Sequence, residues 1–278
     1  MEYDVEVERD DGVREALTVI GKLRVRRFGK SGYRLLSAFW SDGFDDESAD
    51  GISVPEPIGV LTAFHMWLQR KVPGRPAAEL LEPGATALAR RIAEAARKVH
   101  LCRVPPESRH GMEDEIRILR ECLGRMGRSE PRLEGRLARL LHACERLGAV
   151  VAAPRTTGIH RDFYANQVLV DGSRLALIDF DLYCEGDPGL DAGNFLGHVT
   201  EEALRRWGDP AALSEVEEAL EERFVELSGE AVRSSVRAYA ALTLARHVYL
   251  STRFPERRPF TKDLLSLAEE RVSARGSP

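Results

Sequence analysis

GIHRDFYANQVLV (residues 158–170), followed by LALIDFDLYCEGDPGLDAGNFLGHV (residues 175–199), decides how this chain is read. The apolar run Leu175 to Ile178 reads as a buried strand and delivers Asp179 at its end. A loop with Asp162 and Gln167 precedes it. Two carboxylates and one amide in this order suit the metal-bound phosphates of a nucleotide, so the stretch points to phosphoryl transfer. Asp162, on a loop ahead of Val168-Leu169-Val170, can accept a proton from a hydroxyl or orient that hydroxyl toward a γ-phosphate. The plain alternative is a loop aspartate that satisfies nearby backbone N–H groups, and the downstream motif outweighs it. A carboxylate at the end of an apolar strand is costly unless paired or metal-bound. Mg²⁺ takes one or two protein carboxylates plus phosphate oxygens, which makes Asp179 the candidate metal ligand. Asp181 points the same way only if the strand continues; otherwise it faces solvent.

Outward from this stretch the pattern divides. The first 70 or so residues read mainly as strands, with Asp10-Asp11-Gly12 as a hairpin turn signal. GYRLLSAFW places Leu35, Leu36, Phe39 and Trp40 on one helical face. SDGFDDESADGIS reads as an exposed loop, and VPEPIGVLTAFHMWLQRKVPG as two strands ending at Pro73-Gly74. Helical stripes follow: Leu88, Ile92, Ala95, Ala96 and Val99, then Glu113–Met126 and Leu133–Leu147. Strand character returns at Ile159–Val170 and Leu175–Phe180, and helices run from near Asp191 to Val272. A strand-rich lobe at 1–73 and a helical lobe at 74–278 make an α+β plan.

Composition excludes several classes. The net charge of −5 over 278 residues argues against a nucleic-acid partner. No apolar stretch reaches the about 18–20 residues of a membrane span, and the acidic start lacks a signal-peptide core, so cytoplasmic residence is expected. Cys102, Cys122, Cys144 and Cys184 have no metal-type spacing and read as inert thiols.

His160, Asp162, Asp179, Gly186-Asp187-Pro188 and Asp191, in that order, resemble the aminoglycoside phosphotransferase family, relatives of the protein kinases that phosphorylate small-molecule hydroxyls. VPGRPAAELL (72–81) resembles the family's lobe junction, and the likeness runs from about Leu17 to Val199. It implies a protein-kinase-like two-lobe fold that uses ATP or GTP with Mg²⁺. By the same resemblance Asp162 is the catalytic aspartate, Asp179 the Mg²⁺ ligand, His160 a loop support and Asp191 a helix-start carboxylate that holds the catalytic-loop backbone. Asp187 shapes the turn, and Asn194 reads as a helix-face residue without a role. Three departures stand out. The amide five residues after Asp162 is Gln167, not asparagine, and Asn166 lies one residue early, so either can supply the oxygen. Lys22 resembles the lysine of the α/β-phosphates, but little precedes it, and the N-lobe reads as shortened. No glutamate in the Tyr33–Trp40 helix is available to pair with Lys22.

The expected partners are thus a nucleotide and a hydroxyl-bearing acceptor: an aminoglycoside, another sugar or alcohol, or a Ser/Thr of a modified peptide. Glu201–Glu230 holds ten acidic residues against Arg205, Arg206 and Arg223. That segment is either a wall that attracts a cationic acceptor or a solvated helix face, and the periodicity favours the face. Trp207, Phe224, Tyr239 and Tyr249 read as core. The alternative function is a non-catalytic, kinase-like protein that binds a nucleotide or a partner. A homodimer or a partner subunit that completes the N-lobe is a third arrangement.

Overall fold

The computed structural model describes residues 1–8, 12, 14–23, 31–151 and 155–275. The chain opens with β1 (Glu2–Glu8), β2 (Arg14–Leu23), α1 (Ser31–Ser41), β3 (Ile52–Ser53), β4 (Pro57–Leu61), β5 (Met66–Arg70) and β6 (Arg75–Pro76). Next come α2 (Thr86–Leu101), α3 (Met112–Ser129), α4 (Glu134–Val150), β7 (Thr157–Ile159), β8 (Val168–Asp171), β9 (Arg174–Leu177) and β10 (Cys184–Gly186). It closes with α5 (Pro188–Trp207), α6 (Ser214–Ser228), α7 (Arg233–Ser251) and α8 (Thr261–Arg275). Two compact units emerge, each continuous in space but not in sequence.

The first unit is Met1–Glu79 with Cys102–Pro105 and Asn166–Leu182. Its main sheet has the order β1-β2-β5-β4, all antiparallel. The β1–β2 hairpin forms with Glu8 opposite Arg14, while Asp10 and Asp11 of the turn signal lie outside the described residues. A second sheet has the order β3-β9-β8-β6, with β3 parallel to β9. α1 buries Leu36 and Phe39 as its spacing predicts. The 41–53 segment is less exposed than its composition suggests. Phe44 and Ile52 are buried, and Phe44 packs edge-on against Phe39 at 5.2 Å. Two apolar residues in a polar stretch are enough to pin the loop to the core.

The second unit is Leu80–Leu101, Pro106–Ala165 and Tyr183–Pro278. α7 is buried almost all round from Val236 to Val248, so it forms the axis on which α3, α5 and α8 pack. α5 approaches it through glycines at every fourth position. A Cβ at Gly193 would stand 2.5 Å from the Val236 carbonyl oxygen, and one at Gly197 2.6 Å from Thr243 Cγ2. No other residue permits that spacing without displacing the helix. α2 buries Ala89, Ile92, Ala93, Ala96 and Val99, whereas Leu88 is only partly covered. Phe224 and Tyr239 are core as expected; Trp207 is 38% exposed and lies under the Arg206 guanidinium at 4.3 Å. Among the described residues no helix is long and apolar enough to cross a membrane.

Candidate active site

The Asp162 loop is built by its neighbours. β7 ends at Ile159, and the backbone N–H groups of His160 and Arg161 then donate to the two oxygens of Asp191, at 2.8 and 2.7 Å. Asp191 lies in the first turn of α5 with no exposed surface. Its third contact is His100 Nε2 at 2.8 Å; a carboxylate only accepts, so the imidazole donates. Three donors and the positive end of a helix offset the cost of burying this charge. Arg161 adopts φ 70°, a left-handed conformation rare for a side chain of this kind, and so turns the chain sharply just before Asp162.

The far side of Asp162 is fixed as firmly. Phe163 is 1% exposed and packs on Phe195 at 5.6 Å and His160 at 5.8 Å. Its carbonyl accepts from Asn194 Nδ2 at 3.0 Å. Asn194 therefore has a role that the sequence did not suggest: a buried amide that braces the loop. Its Oδ1 in turn accepts from Arg246 at 2.8 Å and Thr243 at 3.3 Å. Arg246 also reaches Glu115 at 3.4 Å, and His110 Nε2 lies 2.7 Å from the same carboxylate. Burial works to raise the Glu115 carboxyl, but the His110 hydrogen bond and the Arg246 charge outweigh it and hold it below the usual range.

The other candidates lie in the first unit. β8 and β9 pair with Val168 opposite Leu177, and Ile178 N–H extends the ladder by donating to the Gln167 carbonyl at 3.0 Å. Gln167 and Asp179 thus leave the same end of one hairpin. Gln167 is buried and Asn166 exposed. The β9 strand stops at Leu177, one residue short of the apolar run's end at Ile178 and three short of the Leu175–Phe180 reading, and Asp179 takes φ 66°. Phe180 then anchors the turn against Phe39, with ring centroids 4.4 Å apart. Asp181 sits in a 3-10 turn and is exposed, because the strand does not continue.

Lys22, on β2, places its ammonium 2.7 Å from Asp179 Oδ1 and 5.6 Å from the Trp67 ring centre. The partner missing from α1 is therefore supplied by the candidate metal ligand. Glu56 pairs instead with Arg70 at 2.6 Å. The donor chemistry of Asp179 and Gln167, a carboxylate and an amide oxygen, fits a hard cation such as Mg²⁺. Among the described residues no cluster of three or more His, Cys, Asp or Glu could enclose a metal. A cation held by Asp179 and Gln167 would complete its shell with phosphate and water oxygens, as Mg²⁺ does.

Gly186-Asp187-Pro188 is a helix start. Asp187 caps α5 by accepting from Gly189 N–H at 2.8 Å, with Pro188 in the first turn. Burial pushes its carboxyl up, against the opposing Gly189 and Ser235 hydrogen bonds.

Solved structures share this fold. A choline/ethanolamine kinase family protein from Mesorhizobium loti aligns over 97% of this chain and 91% of its own, at 15% identity and a TM-score of 0.57. A thermostable mutant of aminoglycoside phosphotransferase APH(4)-Ia covers 99% of this chain and 94% of its own, at 17% identity and a TM-score of 0.59. The N203A form of that mutant, solved as a ternary complex with AMP-PNP and hygromycin B, covers 98% and 92%, at 16% identity and a TM-score of 0.59. No curated protein matches this chain in sequence. The kinase-like α+β architecture expected from the sequence is the one observed. A family pattern matches residues 40–239, well over half of the chain, and this protein belongs to the phosphotransferase enzyme family, APH.

Proposed function

We propose that the chain transfers the γ-phosphoryl group of ATP or GTP to a hydroxyl of a small molecule. The observation that carries this reading is the clamp on the Asp162 loop: Asp191 on the backbone before it and Asn194 on the carbonyl after it. So much buried polar structure around one partly buried aspartate suits a group that must be positioned for chemistry. Asp162 orients the acceptor hydroxyl and takes its proton. The hydroxyl oxygen bonds to the γ-phosphorus while the bond to the β,γ-bridging oxygen breaks, and the nucleoside diphosphate leaves. Asp179 and Gln167 would hold Mg²⁺, which would supply charge neutralisation at the phosphate oxygens, and Lys22 steadies the phosphates. Residues 1–73 form the nucleotide-covering lobe and residues 74–278 the lobe of the acceptor, in a cytoplasmic enzyme.

Calorimetric titration of MgATP tests the phosphate side: wild type binds, and Asp179→Ala loses the metal-dependent part. Asp162→Asn keeps nucleotide binding and loses transfer in a screen of sugars, alcohols and hydroxyl-bearing peptides. Binding of MgATP without turnover of any acceptor would favour a binding protein instead.

A further inference from the structure

Glu115 stands near the start of α3, where the helical stripe read from sequence gives it no task. It is 8% exposed, a carboxylate almost wholly withdrawn from water. Such a group is tolerated only among donors and cations. His110 donates from Nε2 to one oxygen at 2.7 Å, since a carboxylate only accepts. Arg246, from α7, reaches the other oxygen at 3.4 Å. Arg161, the residue before Asp162, adds a weaker attraction by its charge. The neighbouring carboxylate, Asp114, turns elsewhere: it takes Arg117 at 2.8 Å and the Gly111 N–H at 3.1 Å, and lies 3.9 Å from His110 Nδ1.

Arg246 is the junction. Its guanidinium forks, with one nitrogen on Glu115 and another on Asn194 Oδ1 at 2.8 Å. Asn194, 1% exposed, donates in turn to the Phe163 carbonyl at 3.0 Å. That carbonyl belongs to the residue after Asp162. A line of hydrogen bonds thus runs from His110 through Glu115, Arg246 and Asn194 to Phe163, and all of it lies within one compact unit. The Arg246 side chain is 23% exposed, so without an anion to hold it the guanidinium can turn toward water. Asn194 Oδ1 would then keep only the Thr243 hydroxyl, at 3.3 Å. The bond to Phe163 would lose its backing, because linked hydrogen bonds polarise one another.

We propose that Glu115 is a positioning residue for phosphoryl transfer: it pins Arg246, and through Arg246 and Asn194 it sets where Asp162 stands. The proposal rests on the phosphoryl-transfer reading above. An ion pair kept for stability alone needs no second branch from its arginine. Here the second branch exists, and it ends on the backbone of the Asp162 loop.

The test is a double-mutant cycle on the full chain, with MgATP and an acceptor from the screen above. Glu115→Gln keeps the shape and removes the charge. It should lower kcat by about tenfold or more and leave the KM for nucleotide within about twofold. In an Asn194→Ala background the same change should alter kcat by less than about twofold, because the link it acts through is gone. A purely structural ion pair would give losses that multiply. Arg246→Lys keeps a cation for Glu115, which covers the case in which Glu115→Gln does not fold. One ammonium cannot serve both partners as the fork does, so its kcat should fall about as far as that of Asn194→Ala. Amide hydrogen exchange over residues 160–164 is read beside the kinetics and should quicken by about tenfold in Glu115→Gln, with protection in α7 retained. Unchanged kcat in Glu115→Gln, losses that multiply across the cycle, or loop exchange equal to wild type overturns the proposal. Exchange needs no turnover. If the wild type binds no MgATP, the phosphoryl-transfer reading fails, while quickened loop exchange in Glu115→Gln still upholds the link from Glu115 to the loop.

Discussion

Replacing Asp191 by asparagine puts the loop clamp to a quantitative test. The native carboxylate accepts from two backbone N–H groups, one on each oxygen, and from His100. Asparagine keeps one acceptor oxygen and turns an NH₂ group toward the other backbone donor. One buried N–H is then left unpaired, at about 1–3 kcal/mol, and the surviving contacts lose their ionic character, at about another 1 kcal/mol. Near 3 kcal/mol is a large share of the about 5–15 kcal/mol that holds a domain together. The loop itself will shift, and a displacement of about 1 Å at a reacting group can cost about 10²-fold in rate. Lys22, Gln167 and Asp179 belong to the other compact unit. Asp191→Asn should therefore unfold about 3 kcal/mol more easily in urea, with kcat down about 100-fold and nucleotide affinity, read by calorimetry, within a few-fold of wild type. Stability within about 0.5 kcal/mol of wild type together with unchanged kcat would refute the clamp.

Asn194→Ala removes the brace on the Phe163 carbonyl and leaves Arg246 short of a partner; a loss of about 2 kcal/mol in urea titration and a lower kcat are expected. Lys22→Met breaks a partly exposed ion pair, so stability should change by less than about 1 kcal/mol while the KM for nucleotide rises several-fold in a steady-state assay. Gly193→Ala drives a methyl into the Val236 carbonyl, and a fall in Tm matching about 1–3 kcal/mol is expected by calorimetry. His198 titrates near 3 when folded and near 6.5 when unfolded, so the unfolded chain takes up the proton first. Its contribution is present above pH 6.5 and lost as the pH falls toward 3; urea titrations across that window should fall less steeply for His198→Gln.

The parts of this protein written in local pattern were readable from sequence. The β1–β2 hairpin, the α1 face and the helical stripes follow from spacing, and Asp191 follows from its place in a motif. What escaped was decided by partners distant in the chain. Asn194 looked idle because its contacts, Phe163 and Arg246, lie 31 and 52 residues away. The Lys22 partner was sought in α1 and stands 157 residues on, at Asp179. Phe44 looked exposed because its neighbours in sequence are polar, while its neighbours in space are aromatic. Of the two readings of the ten acidic residues of 201–230, the solvated face holds along α6, where Glu215, Glu218, Glu222 and Glu226 are exposed; the arginines that α7 and the turn before α8 bring to Glu221 and Glu201 were not foreseen.

The glycine-spaced approach of α5 to α7 has a consequence for how far this chain can diverge. The two helices touch backbone to backbone at Gly193, so the distance between them there cannot drift as other side chains mutate. The same frame holds Asn194 of α5 against Thr243 and Arg246 of α7. The brace on the Phe163 carbonyl therefore keeps its spacing while exposed positions of either helix are free to vary.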